Sequence, residues 1–226
     1  MTVRGMSRRG LMGGGAGALA AVTLGSTAAA PPAAAAPRAE PEWREGTSAN
    51  GWKVLAEADT EEYLVEGSGV TVRLAPGDPS VLLLHVARRF HYEIDALRAG
   101  DLQGHGTSRL VSHPFESNHL SGTAMNIRPR AYPLGVGGGL YPAELVVIRD
   151  ILAELDGTVA WGGDLPTPKE SHFAIALPPT HPKTKRVART IRGWNADPGK
   201  GAGATDAFAP DRRARATTFA RRDSRQ

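Results

Sequence analysis

Ser117-Asn118-His119-Leu120-Ser121-Gly122-Thr123-Ala124-Met125-Asn126 is the stretch on which the reading of this chain turns. Gly122 permits a tight turn after His119, because glycine enters the left-handed backbone region without steric cost. The residues that follow, 123–127, read as an extended run, and the turn brings Asn126 back towards the histidine. A second constellation comes later: Trp161-Gly162-Gly163-Asp164, then Glu170-Ser171-His172-Phe173 with the histidine eight residues after Asp164. Residues 172–177 read as a strand, which places His172, Ala174 and Ala176 on one face. If the two extended runs are neighbours, His119, Asn126 and His172 converge. Three side chains are what a catalytic zinc takes while keeping one position for water.

Working outward, residues 62–65 and 70–74 are β-rich runs around Gly67-Ser68-Gly69, the pattern of a hairpin. Asp78-Pro79-Ser80 opens a helix in which Val86, Phe90, Ile94 and Leu97 form one stripe. A second helix opens at Tyr141-Pro142, with Leu145, Ile148, Leu152 and Leu155 on its inner face, and Asp156-Gly157 ends it. Residues 158–161 read as a strand and residues 183–191 as a short closing helix. Helices and strands do not alternate regularly, and there is no internal repeat. The expected class is α+β, an antiparallel sheet flanked by helices.

The ends differ from the middle. Residues 1–36 hold Arg4, Arg8 and Arg9 and no acid, and Ser7-Arg8-Arg9-Gly10 precedes a Gly/Ala-rich apolar stretch followed by Ala28-Ala29-Ala30 and Ala34-Ala35-Ala36. That is the pattern of a cleaved export signal, and the arginine pair resembles the twin-arginine type. The apolar run is shorter than the ~18 residues of a membrane helix. The expected mature protein is extracytoplasmic with no transmembrane segment. Residues 37–48 read as a linker and 49–196 as one domain. Residues 197–226, rich in Gly, Ala, Asp and Arg, read as a disordered tail. The pI of about 9.7 belongs to the ends. Between residues 37 and 210, 18 basic residues face 21 acidic ones, which argues against a nucleic-acid-binding face. The absence of cysteine excludes disulfides, thiolate zinc sites and a cysteine nucleophile.

S-x-H-x-x-G-x-A, then W-G-G-D, then H-F, in this order and spacing, resembles the family of zinc D-alanyl-D-alanine carboxypeptidases and L-alanyl-D-glutamate endopeptidases. The vancomycin-resistance-type carboxypeptidases and several phage endolysins belong to it, and its fold is shared with the Hedgehog signalling domain. The resemblance spans roughly residues 109–176. It implies a secreted peptidase directed at peptidoglycan stem peptides, with Zn2+ held at His119, His172 and the position of Asn126. The family has an aspartate where Asn126 stands. Its general base, an aspartate or glutamate three residues before the second histidine, is here Lys169. Arg109 stands where the family often keeps an oxyanion-stabilising arginine.

A carboxamide offers zinc an oxygen but no charge, so it binds metal more weakly than a carboxylate. Without a placed carboxylate the metal-bound water lacks a proton acceptor, typically worth about 10²–10⁴ in rate. Glu170 is the nearest replacement base, with Asp164 and Glu116 further off, and Lys169 can instead supply a positive charge near the metal position. Trp161 reads as core beneath the site. His85, His91, His105, His113 and His181 lack partners at metal spacing and read as packing or surface residues. Three readings stand at this point: a zinc peptidase using Asn126 and Glu170, a catalytically degenerate relative that binds wall peptide or a partner, and a secreted structural domain.

Overall fold

Val65 pairs with Val70 across the loop of residues 66–69, so β1 (Glu61–Val65) and β2 (Val70–Leu74) close as the expected hairpin and bury Val65, Val72 and Leu74. The computed structural model describes residues 41–197 and 199–223; the expected export signal at 1–36 lies outside the described residues. α1 (Asp78–Glu93) begins with Pro79 in its first turn, where a missing N–H leaves no bond unmade. Leu82, Leu83, Val86, Ala87 and Phe90 form its buried face. The helix ends earlier than the apolar stripe suggests. Ile94 is its C-cap, and Leu97 lies beyond it, buried, with its N–H donating to His91 Nδ1 at 3.0 Å.

The second sheet has four antiparallel strands in the order β3 (Leu102–Gln103), β4 (Ala124–Ile127), β6 (His172–Ile175), β5 (Val159–Trp161). Its register sets Asn126 opposite His172 and Met125 opposite Phe173. Strand alternation then sorts the side chains. Met125, Ile127, Val159, Trp161, Phe173 and Ile175 join one core with residues of α1, α2 (Pro142–Glu154) and α3 (Pro182–Asn195). Asn126, His172, Ala160 and Ala174 share the opposite face. The class is the expected one, mixed α and β with antiparallel sheets flanked by helices. No helix among the described residues is long and apolar enough to cross a membrane.

Two segments differ from the expectation. The tail contains α4 (Pro210–Asp223), which buries Ala216, packs Phe219 against the core and reaches α2 through Arg212. Arg212 Nη2 lies 2.5 Å from Asp150 Oδ2 and 2.5 Å from Glu154 Oε1. Asp150 is fully buried on α2, also bound by the buried Arg89 at 2.7 Å. A low apolar content does not reveal a helix whose docking depends on two apolar side chains and a buried acidic pair. Residues 41–48, read as linker, are also held in place. Trp43 N–H donates to Arg109 O at 2.7 Å, and Val111 N–H donates to Pro41 O at 3.2 Å.

Candidate functional site

The turn at Gly122 has φ 65°, and a Cβ there would sit 2.6 Å from Ala75 N, so this position requires glycine. The hydroxyl and amide side chains around it fasten residues 48–50 behind the site. Ser117 Oγ accepts from Ala49 N, Asn118 Oδ1 accepts from Asn50 N, and Ser48 Oγ meets Ser121 Oγ at 2.8 Å. Asn50 Nδ2 donates to Thr123 Oγ1 and to Ile175 O, both at 2.8 Å. Ser48 and Asn50 carry no sequence signal for this role, since their partners are more than sixty residues away. Ser117, Asn118, Ser121 and Thr123 of the motif are thus satisfied internally.

His119, Asn126 and His172 do come together. The two imidazole rings lie 5.3 Å apart, edge to face. His119 Nδ1 is 2.7 Å from Gly104 O, a carbonyl that can only accept, so the proton is on Nδ1 and Nε2 carries a bare lone pair. Asn126 Nδ2 is directed at Gln103 Oε1 at 3.4 Å, which leaves its Oδ1 to accept from His172 Nδ1 at 3.1 Å. His172 therefore also presents Nε2 as a lone pair. Both Nε2 atoms are buried without a hydrogen-bond partner among the described residues. Burial, with the nearby Lys169 charge adding to it, lowers the pKa of both histidines, and His172 falls well below its ordinary value. Both are neutral at pH 7.

Lys169 and Glu116 stand beside this pair. Gly162 lets the chain fold closely there: a Cβ at Gly162 would lie 2.3 Å from Lys169 O and 2.9 Å from His172 Cβ. Lys169 N–H donates to Gly162 O at 2.9 Å, and His172 N–H donates to Lys169 O at 2.8 Å. The Lys169 ammonium donates to Glu116 Oε1 at 2.7 Å. Glu116 Oε2 accepts from Ser112 N and His113 N at the start of the 3-10 turn Pro114–His119. Burial opposes ionisation of Glu116, but Lys169 and these N–H groups outweigh it and hold the carboxyl below its ordinary pKa. Glu116 is charged and fully engaged.

The remaining expected residues are turned elsewhere. The Glu170 carboxylate accepts from Gly138 N at 2.7 Å and Gly139 N at 2.8 Å, so it secures the glycine-rich loop. Residues 170–171 form a turn closed by the His172 N–H to Lys169 O bond, and in that turn the Glu170 side chain goes to Gly138 and Gly139. Asp164 is held by Arg149 in a two-pronged pair at 2.5 and 2.6 Å. Arg149 also lies 5.0 Å over the Trp161 ring, and Trp161 is core, with Nε1 donating to Glu170 O at 2.7 Å. The Arg109 guanidinium donates through Nη1 to the carbonyls of Trp43 and Glu45. His91, His105 and His181 bond to backbone groups, and His85 Nε2 bonds to the Glu154 carboxylate at 2.9 Å.

Two cavities flank the 3-10 turn. A polar cleft of about 540 Å³ is lined by Gln103, Gly104, His105, Glu116, His119 and Asn126. A more apolar recess of about 460 Å³ is lined by Asn50, Phe115, Trp161, Leu165, His172 and Ala174. The two bare imidazole nitrogens suit a divalent metal, but the rest of the donor set does not fit a catalytic zinc. The third group is neutral and already binds His172 Nδ1, an ammonium stands nearby, and no free carboxylate faces the pair. Among the described residues no three His, Cys, Asp or Glu side chains group as a metal site. No family model, curated protein or solved structure matches the chain.

Proposed function

We propose that this is an extracytoplasmic relative of the zinc carboxypeptidases and endopeptidases, with their Hedgehog-like fold, that binds peptidoglycan stem peptides without hydrolysing them. One observation carries the reading: at the base position an ammonium is ion-paired to Glu116 beside two neutral imidazoles. Hydrolysis through a metal-bound water needs the opposite sign of charge there, an acceptor for the water proton. The motif, its turn glycine and the paired cavities remain, which supports retained binding. The polar cleft offers backbone and side-chain acceptors for an extended peptide, and the recess accommodates a small apolar side chain. The leader expected at residues 1–36 supports action outside the cytoplasm.

The test is calorimetry and product analysis with a synthetic stem pentapeptide ending in D-alanyl-D-alanine. The wild-type protein binds the peptide and releases no D-alanine, with or without added zinc. The double variant Asn126→Asp, Lys169→Asp restores both missing charges, and it gains tight zinc binding and measurable turnover. A second reading, a zinc peptidase with a weakened site, draws on the two bare Nε2 atoms. Release of D-alanine by zinc-supplemented wild type would establish it in place of the first.

A further inference from the structure

Charge is divided sharply along the chain. Between residues 41 and 181, eleven Lys and Arg face eighteen Asp and Glu, a net −7; between 182 and 223, eleven face four, a net +7. The positive segment forms the outer faces of two helices. α3 turns Thr184, Val187, Ala188 and Ile191 inward and leaves Lys185, Arg186, Arg189 and Arg192 exposed. α4 leaves Arg213, Arg215 and Arg222 exposed. The two helices meet at one turn. Asp156 takes Arg186 at 3.2 Å and Lys183 at 3.6 Å from α3, while Phe219 of α4 lies 3.8 Å from where a Gly157 Cβ would begin.

Part of this charge is neutralised within the fold. Lys183 and Arg186 share Asp156, Arg192 pairs with Asp78 at 2.8 Å, and Arg215 lies 3.9 Å from Asp150. Lys185, Arg189, Arg213 and Arg222 have no ion-pair partner among the described residues. The outward positions of both helices hold no exposed large apolar side chain, the nearest being Phe208, two residues before α4. They also offer no aromatic platform on which bases would stack. Dispersed cations on two convex helices match a flexible chain of regularly spaced negative charges. The −7 body repels the same chain and confines it to this side.

We propose that the α3–α4 face binds a phosphodiester-linked polymer of the cell envelope, an inference that rests on the extracytoplasmic reading above. The probe is fluorescently labelled poly(glycerol phosphate), titrated with the full chain across a sodium chloride series. Wild type binds at low ionic strength, and log affinity falls linearly with log salt. The quadruple variant Lys185→Gln, Arg189→Gln, Arg213→Gln, Arg222→Gln lowers the magnitude of that slope by about three, from ~0.7 per neutralised contact. Its thermal midpoint and its affinity for the stem pentapeptide stay at wild-type values, because none of the four side chains lies in the core or the cleft. Absence of wild-type binding at low salt, or equal slopes for both proteins, would overturn the proposal. So would tighter binding of single-stranded DNA or anionic vesicles at matched charge. Polymer binding without peptide binding would reject the peptide reading alone, leaving this one standing.

Discussion

Glu170 keeps a carboxylate at 6 % exposure because two main-chain N–H groups donate to its two oxygens. Glu170→Gln preserves its shape but turns one acceptor into an NH₂ facing another N–H. The variant should lose about 1–3 kcal/mol of stability, the cost of an unsatisfied buried donor, measured by urea unfolding. Its affinity for the stem pentapeptide should not change, since the carboxylate does not face the cleft. Lys169 is the more consequential side chain. Its spacing from His172 was legible in sequence. What spacing does not encode is where a side chain in a turn points. Glu116 and Lys169 find each other across fifty-three residues, and Glu170 turns to a loop thirty-one residues away. His119, Asn126 and His172 were recoverable because a glycine turn and strand alternation fix direction as well as proximity.

At the scale of elements, periodicity located the hairpin, α1, α2, α3 and the strands β4, β5 and β6 to within a few residues, since each has an apolar face that the core requires. β3 is two residues long and has no pattern to read. α4 escaped for a different reason. Its docking depends on Arg212 meeting Asp150 and Glu154, carboxylates that are almost wholly buried on α2. Burial opposes ionisation of Glu154, yet His85, Arg89 and Arg212 together pull its pKa down to about 2. Arg212→Ala would leave Asp150 and Glu154 sharing Arg89, with His85 at Glu154 and the more distant Arg215 at Asp150. Removing one partner from a buried ion pair costs about 3–5 kcal/mol, and partial exposure of Arg212 puts the expected loss near the lower end. Denaturant unfolding measures the loss, and hydrogen exchange should find it concentrated in α4 and α2. Unchanged stability would mean that α4 docks through Ala216 and Phe219 alone.

Over the whole molecule, three buried imidazoles set the response to acid. Burial depresses the pKa of His85, His119 and His172, more strongly than Glu154 can offset at His85. In the unfolded chain each titrates near its ordinary value of 6.5. Below that pH the unfolded chain binds protons that the folded chain refuses, so folding stability is complete above about pH 7 and falls as pH drops. If all three stay neutral, the slope approaches ~4 kcal/mol per pH unit, since one proton corresponds to about 1.36 kcal/mol per unit. Glu154 adds a second loss in the same direction, beginning near its unfolded value of 4.5 and continuing towards about 2. Urea midpoints between pH 5 and 8 should therefore be flat at the upper end and fall steeply below 6.5. His172→Gln removes one titrating group, so its profile should be shallower by about one proton, whatever its stability at pH 7. A wild-type midpoint independent of pH between 5 and 7 would mean that the folded chain takes up as many protons as the unfolded one, with His85, His119 and His172 protonating within the fold.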